Sequence, residues 1–206
     1  IVYTLNEELY WRIRSSSDRG KEIPGHDTSV VSAGLNCNMD ELSAAIASAQ
    51  ITRLPNIIND CKKVGRGLEY RIKKKCKYVQ TIERPDWIDP SYWFVCLKVN
   101  FKKLNVKKTV FIDALKHEGI CAGHWGRIPY KRDWYAKKRA FGESGYPWNC
   151  EDYRGSTDPE LNIVNAERAL EDHIVIFVRE SFCEGDLDDI VEALVKVETF
   201  FIQQNI

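Results

Sequence analysis

The chain has 206 residues, which is enough to bury a hydrophobic core in one domain or in two small ones. Its 30 Lys and Arg residues balance 30 Asp and Glu residues, so the basic excess typical of nucleic-acid-binding proteins is missing. The sequence has no apolar run of about 18 residues that would predict a membrane span. Seven scattered cysteines fit a reducing compartment better than a disulfide framework. We therefore expect a cytoplasmic protein with no membrane or nucleic-acid partner.

The first residues predict a strand end, a short helix and an exposed connection. Residues 1–4 have the character of a strand end, and Asn6 is suited to cap a helix that runs to about Ser15. Residues 19–33 hold two glycines, a proline and several polar groups, which is typical of an exposed connection. Because the chain begins with isoleucine and its only methionine is Met39, we expect a piece of a longer protein.

Residues 34–45 are the most informative stretch because a tight turn, a polar side chain and a small-residue helix start follow one another. Gly34 permits a positive φ, and Asn38 with Glu41 can satisfy the free N–H groups at the start of a helix. Asn36 lies just before this helix and is a candidate binding residue. The alternative is a turn residue that tolerates a left-handed conformation. The apolar positions at helical spacing are Leu42, Ala45, Ile46 and Ala49.

The rest of the chain alternates helical and β-favouring segments. A long amphipathic pattern, a short helix that ends at a glycine and a last helix with an acidic first turn are interleaved with two buried strands. In chain order, the predicted elements are a helix over 54–76, a strand over 92–99, a helix over 110–118 ended by Gly119, a strand over 173–178 and a helix from 186 to about 201. No internal repeat or low-complexity tract interrupts them.

The order of these segments resembles the DegT/StrS family of aminotransferases that depend on pyridoxal 5'-phosphate (PLP). Residues 34–45 are similar to the family signature Gly-x-Asn-Tyr-Arg-Met-x-Glu-Leu-x-Ala-Ala, with Cys37 at the usual aromatic and Asn38 at the usual arginine. Residues 17–20 resemble the Arg/His-Gly turn of the family, and residues 165–168 with the last helix resemble its closing segment.

The resemblance implies an α/β fold of the fold-type I class, which is the aspartate-aminotransferase-like class of PLP enzymes. It places residues 1–76 at the end of the large PLP-binding domain and in the connecting helix. Residues 77–206 would form a small C-terminal α/β domain with a mixed or antiparallel sheet covered by helices. The implied activity is transfer of an amino group from an amino acid to a nucleotide-linked or phosphorylated keto sugar, in polysaccharide or secondary-metabolite sugar biosynthesis.

The cofactor site implied by the resemblance is shared between two copies of the chain. Asn36 would donate to the cofactor phosphate of the neighbouring subunit, so a homodimer is implied. In the family, the lysine that carries the cofactor lies upstream of the part seen here, and we assign no catalytic lysine. We therefore expect that the chain alone does not transaminate.

A second candidate segment, residues 124–135, is dense in aromatic rings and cations, which stack on sugars and bind phosphates. The resemblance implies that His124 and Trp125 contact substrate, and that Arg127 does so as well. The alternative is an aromatic rim that packs between elements. A further aromatic cluster at residues 146–148 follows in a long excursion and could cover the same pocket or fold against the small domain.

His117, Cys121 and His124 have a metal-like spacing, but helix and strand geometry should make their side chains diverge, so we predict no metal site. Two alternatives to the enzyme stay open. The protein could be a non-catalytic family member that lacks the cofactor-bearing lysine, or a sugar-phosphate or nucleic-acid binding module that uses residues 124–139.

Overall fold

The computed structural model describes residues 2–22, 30–124, 126, 128–140, 144–156 and 163–204. The chain divides into two compact units, Ile1–Pro55 and Asn56–Ile206. The domain boundary at residue 76 that the resemblance implies stays a prediction.

The first unit contains helix α1, Glu7–Ser17, which begins as the sequence predicts. The Asn6 side chain accepts a hydrogen bond of 2.8 Å from the Leu9 backbone N–H, which satisfies one of the free donors at the helix start. The expected strand end at residues 1–4 is wrong for its described part, because residues 2–4 form no strand. A strand requires a neighbouring strand to pair its backbone groups.

The helix predicted to start within residues 34–45 and the helix predicted over 54–76 form one helix, α2, Glu41–Lys75. Asp40 caps its start. Asp40 Oδ1 accepts from the Ser43 backbone N–H at 2.8 Å, and Oδ2 accepts from the Ser43 hydroxyl at 2.7 Å. The predicted capping by Asn38 was therefore wrong. Asp40 is closer to the helix start and accepts the hydrogen bonds from its first turn, so the Asn38 side chain makes a different contact.

The second unit is built on an antiparallel sheet. Within the described residues, its strands are β1, Val79–Thr81, β2, Phe94–Val99, β3, Ala122–Gly123, and β4, His173–Phe177. They lie in the order β1-β2-β4-β3, and Leu97 on β2 is opposite Ile174 on β4. The strands predicted at 92–99 and 173–178 are confirmed.

Helices cover this sheet and connect its strands. Those described are α3, Phe101–Leu104, α4, Lys108–His117, α5, Asp133–Ala136, α6, Val164–Asp172, and α7, Glu184–Gln203. The helix predicted over 110–118 is α4, and Gly119 follows its C-cap with a φ of +84°, the left-handed conformation expected of a helix-ending glycine. The last helix, α7, has the predicted acidic start, where Asp186 accepts from the Cys183 backbone N–H at 2.7 Å.

The hydrophobic core lies between one face of the sheet and the helices of the second unit. Alternate residues of β2 point into it, and each fully buried aliphatic side chain contributes roughly 1.5–3 kcal/mol. Fully buried members are Leu68 and Ile72 of α2, Leu97 and Val99 of β2, Phe111 and Leu115 of α4, Ile174 of β4 and Leu194 of α7. The observed unit is therefore an α/β layer with an antiparallel sheet, as the resemblance implies.

One glycine of α2 makes room for an aromatic ring. A Cβ on Gly65 would lie 2.2 Å from the Tyr92 ring, so only glycine fits there. The Tyr92 hydroxyl donates to Glu69 at 2.9 Å, and Glu69 also accepts two hydrogen bonds from Arg84, at 2.7 and 2.6 Å. The Gly65-Arg66-Gly67 fragment is therefore a packing feature of the helix, in agreement with its place in a helical pattern.

Within the described ranges, no helix combines the length and the apolar character that crossing a bilayer requires. All seven cysteines are free thiols.

Candidate functional site

The Asn36 segment is paired along its backbone with the end of α1. The Leu35 N–H donates to the Ser16 carbonyl at 2.9 Å, and the Cys37 N–H donates to the Ser17 carbonyl at 2.8 Å. In the opposite direction, the Arg19 N–H donates to the Leu35 carbonyl at 3.0 Å. This short ladder holds the backbone on both sides of residue 36 in place.

Asn36 itself faces Asp18 in an isolated antiparallel bridge. Its side chain is exposed, and its amide makes no hydrogen bond to any residue that the structure describes. The backbone is therefore ordered while the side-chain donor stays available, which is the arrangement that recognition of an anion by a neutral amide needs.

Asp18 organises this turn, and the sequence analysis missed it. Asp18 is 9% exposed, and its carboxylate accepts from Arg19 Nη1 at 2.7 Å, Asn38 Nδ2 at 3.0 Å and Lys21 Nζ at 3.0 Å. The hydrogen bond from Lys21 lowers the pKa of Asp18 below its usual value, as do Asn38 and the charges of Lys21 and Arg19, although burial opposes this. The signal available in the sequence was an acidic residue followed by two cations on either side of a glycine.

Two glycines allow the backbones of this turn to approach closely. A Cβ on Gly34 would lie 2.3 Å from the Gly20 nitrogen, and one on Gly20 would lie 1.8 Å from the Ser32 carbonyl oxygen. Gly20 has a φ of +75°, whereas Gly34 is not in the positive-φ region. The expectation that Gly34 supplies a positive φ was therefore wrong, because the glycine is needed there for space.

The second predicted segment begins directly after β3. His124 is exposed, and Trp125 and Arg127 lie outside the described residues. Gly126 has a φ of +92°, and a Cβ there would lie 3.1 Å from Leu170 of α6. The segment therefore continues from β3 along α6.

A pocket with a volume of 550 Å³ adjoins this segment and is lined by both apolar and charged residues. Lys131 is paired with Glu167 at 2.5 Å, and Asp133 is paired with Lys137 at 2.6 Å. Arg132 forms no ion pair within the described part of the chain, so its cation is available to a ligand. The lining residues are Gly126, Ile128, Lys131, Arg132, Asp133 and Leu170.

The further aromatic cluster joins the same region. The Trp148 ring lies 6.2 Å from the Trp134 ring and 5.7 Å from the Tyr135 ring, measured between centroids. The Lys138 ammonium lies over the Tyr135 and Trp148 rings, at 5.1 and 5.7 Å from their centroids. Trp148 therefore packs against residues 134–138. The aromatic cluster at residues 146–148 thus lies beside the second candidate segment, residues 124–135.

The three residues with metal-like spacing are placed on different elements. His117 ends α4, and its Nδ1 lies 2.7 Å from the Asp113 carbonyl oxygen. Cys121 and His124 flank the two residues of β3. Across the described ranges, no group of three potential ligands comes together in a metal-binding arrangement.

Comparison with known proteins identifies the family. The model of the DegT/DnrJ/EryC1/StrS aminotransferase family matches residues 1–195. The chain belongs to this family. The family resemblance inferred from the signature around Asn36 is thus confirmed.

Solved structures of aminotransferases have a fold similar to that of this chain. The aminotransferase PseC from Helicobacter pylori has a TM-score of 0.74 at 15% identity, over 96% of this chain and 48% of its own. The aminotransferase TlmJ from Streptoalloteichus hindustanus has a TM-score of 0.73 at 14% identity, over 95% of this chain and 46% of its own. The PLP form of Spr1654 from Streptococcus pneumoniae has a TM-score of 0.69 at 16% identity, over 96% of this chain and 45% of its own.

This chain therefore spans about half the length of the solved structures that it matches. The fold-type I assignment is confirmed by these neighbours. DegT family aminotransferases are PLP-dependent, and Spr1654 is solved in both a PLP form and a pyridoxamine phosphate (PMP) form.

Proposed function

We propose that this chain supplies part of the active site of a PLP-dependent aminotransferase that moves an amino group from an amino acid to a nucleotide-linked or phosphorylated keto sugar. The family match over residues 1–195 carries this proposal. PLP stabilises negative charge at the carbon next to the amino group, which is the chemistry that amino transfer requires. The residues of this chain bind and orient the reactants.

Asn36 is the proposed donor to the cofactor phosphate. The fit is supported by its exposed amide and by the backbone bridge to Asp18. The family arginine is replaced by Asn38, but Arg19 and Lys21 are held next to it by Asp18. Their positive charges favour a nearby phosphate, so the turn still suits an anion.

The proposed substrate contacts are His124, Trp125 and Arg127. Exposure of His124 at the end of β3 supports its part of this proposal. An aromatic ring stacks on a sugar ring and an arginine pairs with a phosphate, so the three side chains suit a phosphorylated or nucleotide-linked sugar.

The protein proposed here is a cytoplasmic homodimer. The first unit exposes many large apolar side chains, which is unusual for a surface that faces only water. Seven free thiols are in keeping with a reducing compartment. The exposed apolar residues described in this unit include Val2, Tyr3, Leu5, Leu9, Val31, Leu35, Met39, Leu42, Ile46, Ile51 and Leu54.

The test uses the natural full-length protein loaded with PLP and supplied with glutamate and a nucleotide-linked keto sugar. We expect an aminated sugar, detected by mass spectrometry. The Asn36→Ala variant should bind PLP roughly tenfold more weakly, since one charge-assisted hydrogen bond is lost. Asn56→Ala, at an exposed position of α2, is the matched control.

PLP binding that is unchanged in Asn36→Ala would contradict the assigned role of this residue. PLP binding without an aminated product from any keto sugar tried would instead support the non-catalytic family member. A protein that binds oligonucleotides with a steep salt dependence, and binds no PLP, would support the nucleic-acid binding module.

A further inference from the structure

A basic pocket lies in the second unit, and no residue of the two predicted segments lines it. Its volume is 340 Å³, in the range of small-molecule sites. It is formed by the start of β1, the end of β2, the start of α3 and the last turns of α6. The lining residues are Lys77, Tyr78, Gln80, Lys98, Val99, Asn100, Phe101, Lys102, Arg168, Glu171 and Asp172.

Four cations line this pocket, and no carboxylate is recorded in an ion pair with any of them in the part of the chain that the structure describes. They come from separate elements, which are the start of the sheet, β2, α3 and α6. The Lys77 ammonium lies 5.3 Å from the centre of the Tyr78 ring, a contact that leaves its hydrogen-bond donors available. The four are Lys77, Lys98, Lys102 and Arg168.

Two carboxylates, Glu171 and Asp172, also line the pocket, so four cations face two anions and the charge balance of the lining is positive. Asp172 also acts on Lys108: burial lowers the pKa of Lys108, and the charges of Cys96 and Asp172 oppose that shift. Glu171 also acts on Lys131: the hydrogen bond that Lys131 donates to Glu167 raises the pKa of Lys131, and the charge of Glu171 acts in the same direction.

The floor of the pocket is ordered by strand pairing. Gln80 on β1 lies directly opposite Lys98 on β2, so both side chains stand on the same face of the sheet. The Asn100 backbone N–H donates to the Tyr78 carbonyl at 2.9 Å, which holds the ends of the two strands together. Fixed strands present the polar side chains with little further loss of conformational entropy on binding.

We propose that this pocket binds the phosphate or diphosphate group of a small phosphorylated metabolite. Four cations around a concave surface recognise a multiply charged anion, while the Tyr78 and Phe101 rings provide apolar wall next to it. This inference does not depend on the role proposed for Asn36, because all the lining residues are in the second unit.

The test compares neighbouring lysines on the same short helix. Lys102 lines the pocket, whereas Lys103 is exposed outside it, so Lys102→Gln and Lys103→Gln remove the same charge from adjacent positions. Inorganic pyrophosphate is titrated by isothermal calorimetry into the natural full-length protein loaded with PLP, so that the cofactor site is already occupied. We expect roughly tenfold weaker binding for Lys102→Gln and less than about twofold change for Lys103→Gln.

Lys98→Gln and Arg168→Gln provide independent variants on other elements and should weaken binding to a similar extent. A second arm with uridine diphosphate identifies the source of the anion. Equal affinity for the two probes supports a site for a free phosphate group, and at least tenfold tighter binding of the nucleotide supports a nucleotide-linked metabolite.

Absence of pyrophosphate binding, or equal losses in Lys102→Gln and Lys103→Gln, would overturn the proposal. Loss of PLP binding by Asn36→Ala would leave these results unchanged.

Discussion

The two units of this chain are ordered by different forces. Among the described residues of the first unit, 2–22 and 30–55, the buried positions are Asp18 and Gly20, so a carboxylate in ion pairs and a glycine are buried there instead of a group of apolar side chains. The second unit buries a continuous set of aliphatic and aromatic side chains between its sheet and its helices. The first unit therefore depends on hydrogen bonds and close backbone contact, and the second depends on burial of apolar surface.

This difference matches the location of the proposed functions. Hydrogen bonds around Asp18 fix the backbone of the Asn36 turn but leave its amide and the surrounding apolar side chains exposed. Such a surface is suited to packing against further protein and to contacting a ligand there. In the second unit, the core supplies stability and the loops after β3 carry the candidate substrate residues.

The largest effect should come from removing core volume in the second unit. We expect Leu97→Ala, at a fully buried position of β2, to lower the free energy of unfolding by about 2–5 kcal/mol through lost burial and a cavity. Leu42→Ala, at a position that is 72% exposed, should lower it by less than about 0.5 kcal/mol in this chain. Urea unfolding followed by circular dichroism measures both. Equal losses of unfolding free energy in the two variants would show that the two units do not differ in their dependence on apolar burial.

A slightly smaller effect should follow from a buried carboxylate that links α7 to β1. Glu198 is 4% exposed and accepts from the Lys77 N–H at 2.7 Å and from the Val79 N–H at 3.0 Å. Glu198→Ala leaves two backbone donors without these acceptors and should cost roughly 2–3 kcal/mol. Glu192→Ala, at an exposed position of the same helix, is the control. Unfolding in urea that does not separate these variants would contradict the role of Glu198.

The exposed apolar surface of the first unit can be tested in the natural protein by analytical ultracentrifugation. Ile46 is 55% exposed in this chain, and we expect Ile46→Asp to weaken the proposed homodimer by at least about tenfold, because a charge would enter an apolar contact. Ser48→Asp adds the same charge on another face of α2 and should leave association unchanged. A dimer that tolerates Ile46→Asp would place the subunit contact elsewhere.

The smallest expected effect is a local titration of the Asn36 turn. The folded-state pKa of Asp18 is lowered from its usual value of 3.8, chiefly by Lys21. The stabilisation that this carboxylate gives is therefore complete above that value and is lost as the pH falls through the lowered pKa. In NMR spectra, the Asn38 side-chain amide should shift with a midpoint below 3.8. Asp18→Asn should abolish this titration, and a midpoint at or above the usual value would show that the contact with Lys21 is not made.

Local sequence determined much of the architecture because its signals act over a few residues. Asn6 caps α1, Gly119 ends α4, and the acidic start of α7 lies where the pattern predicts it. The order of the motifs, with the asparagine turn before a small-residue helix, was sufficient to indicate the family, which the match over residues 1–195 confirms. Assignments of Asn36, His124, Trp125 and Arg127 to cofactor and substrate stay predictions.

Only the tertiary structure decided which partner each polar side chain uses. The sequence pattern assigns the helix cap to Asn38, but Asp40 binds Ser43, and Asn38 binds Asp18, which is 20 residues earlier. The need for glycine at positions 34 and 65 arises from the Gly20 backbone and the Tyr92 ring, which come from other parts of the chain. These contacts join residues distant in sequence, and local propensity does not specify which distant groups will meet. The fold decides that by bringing their backbones together.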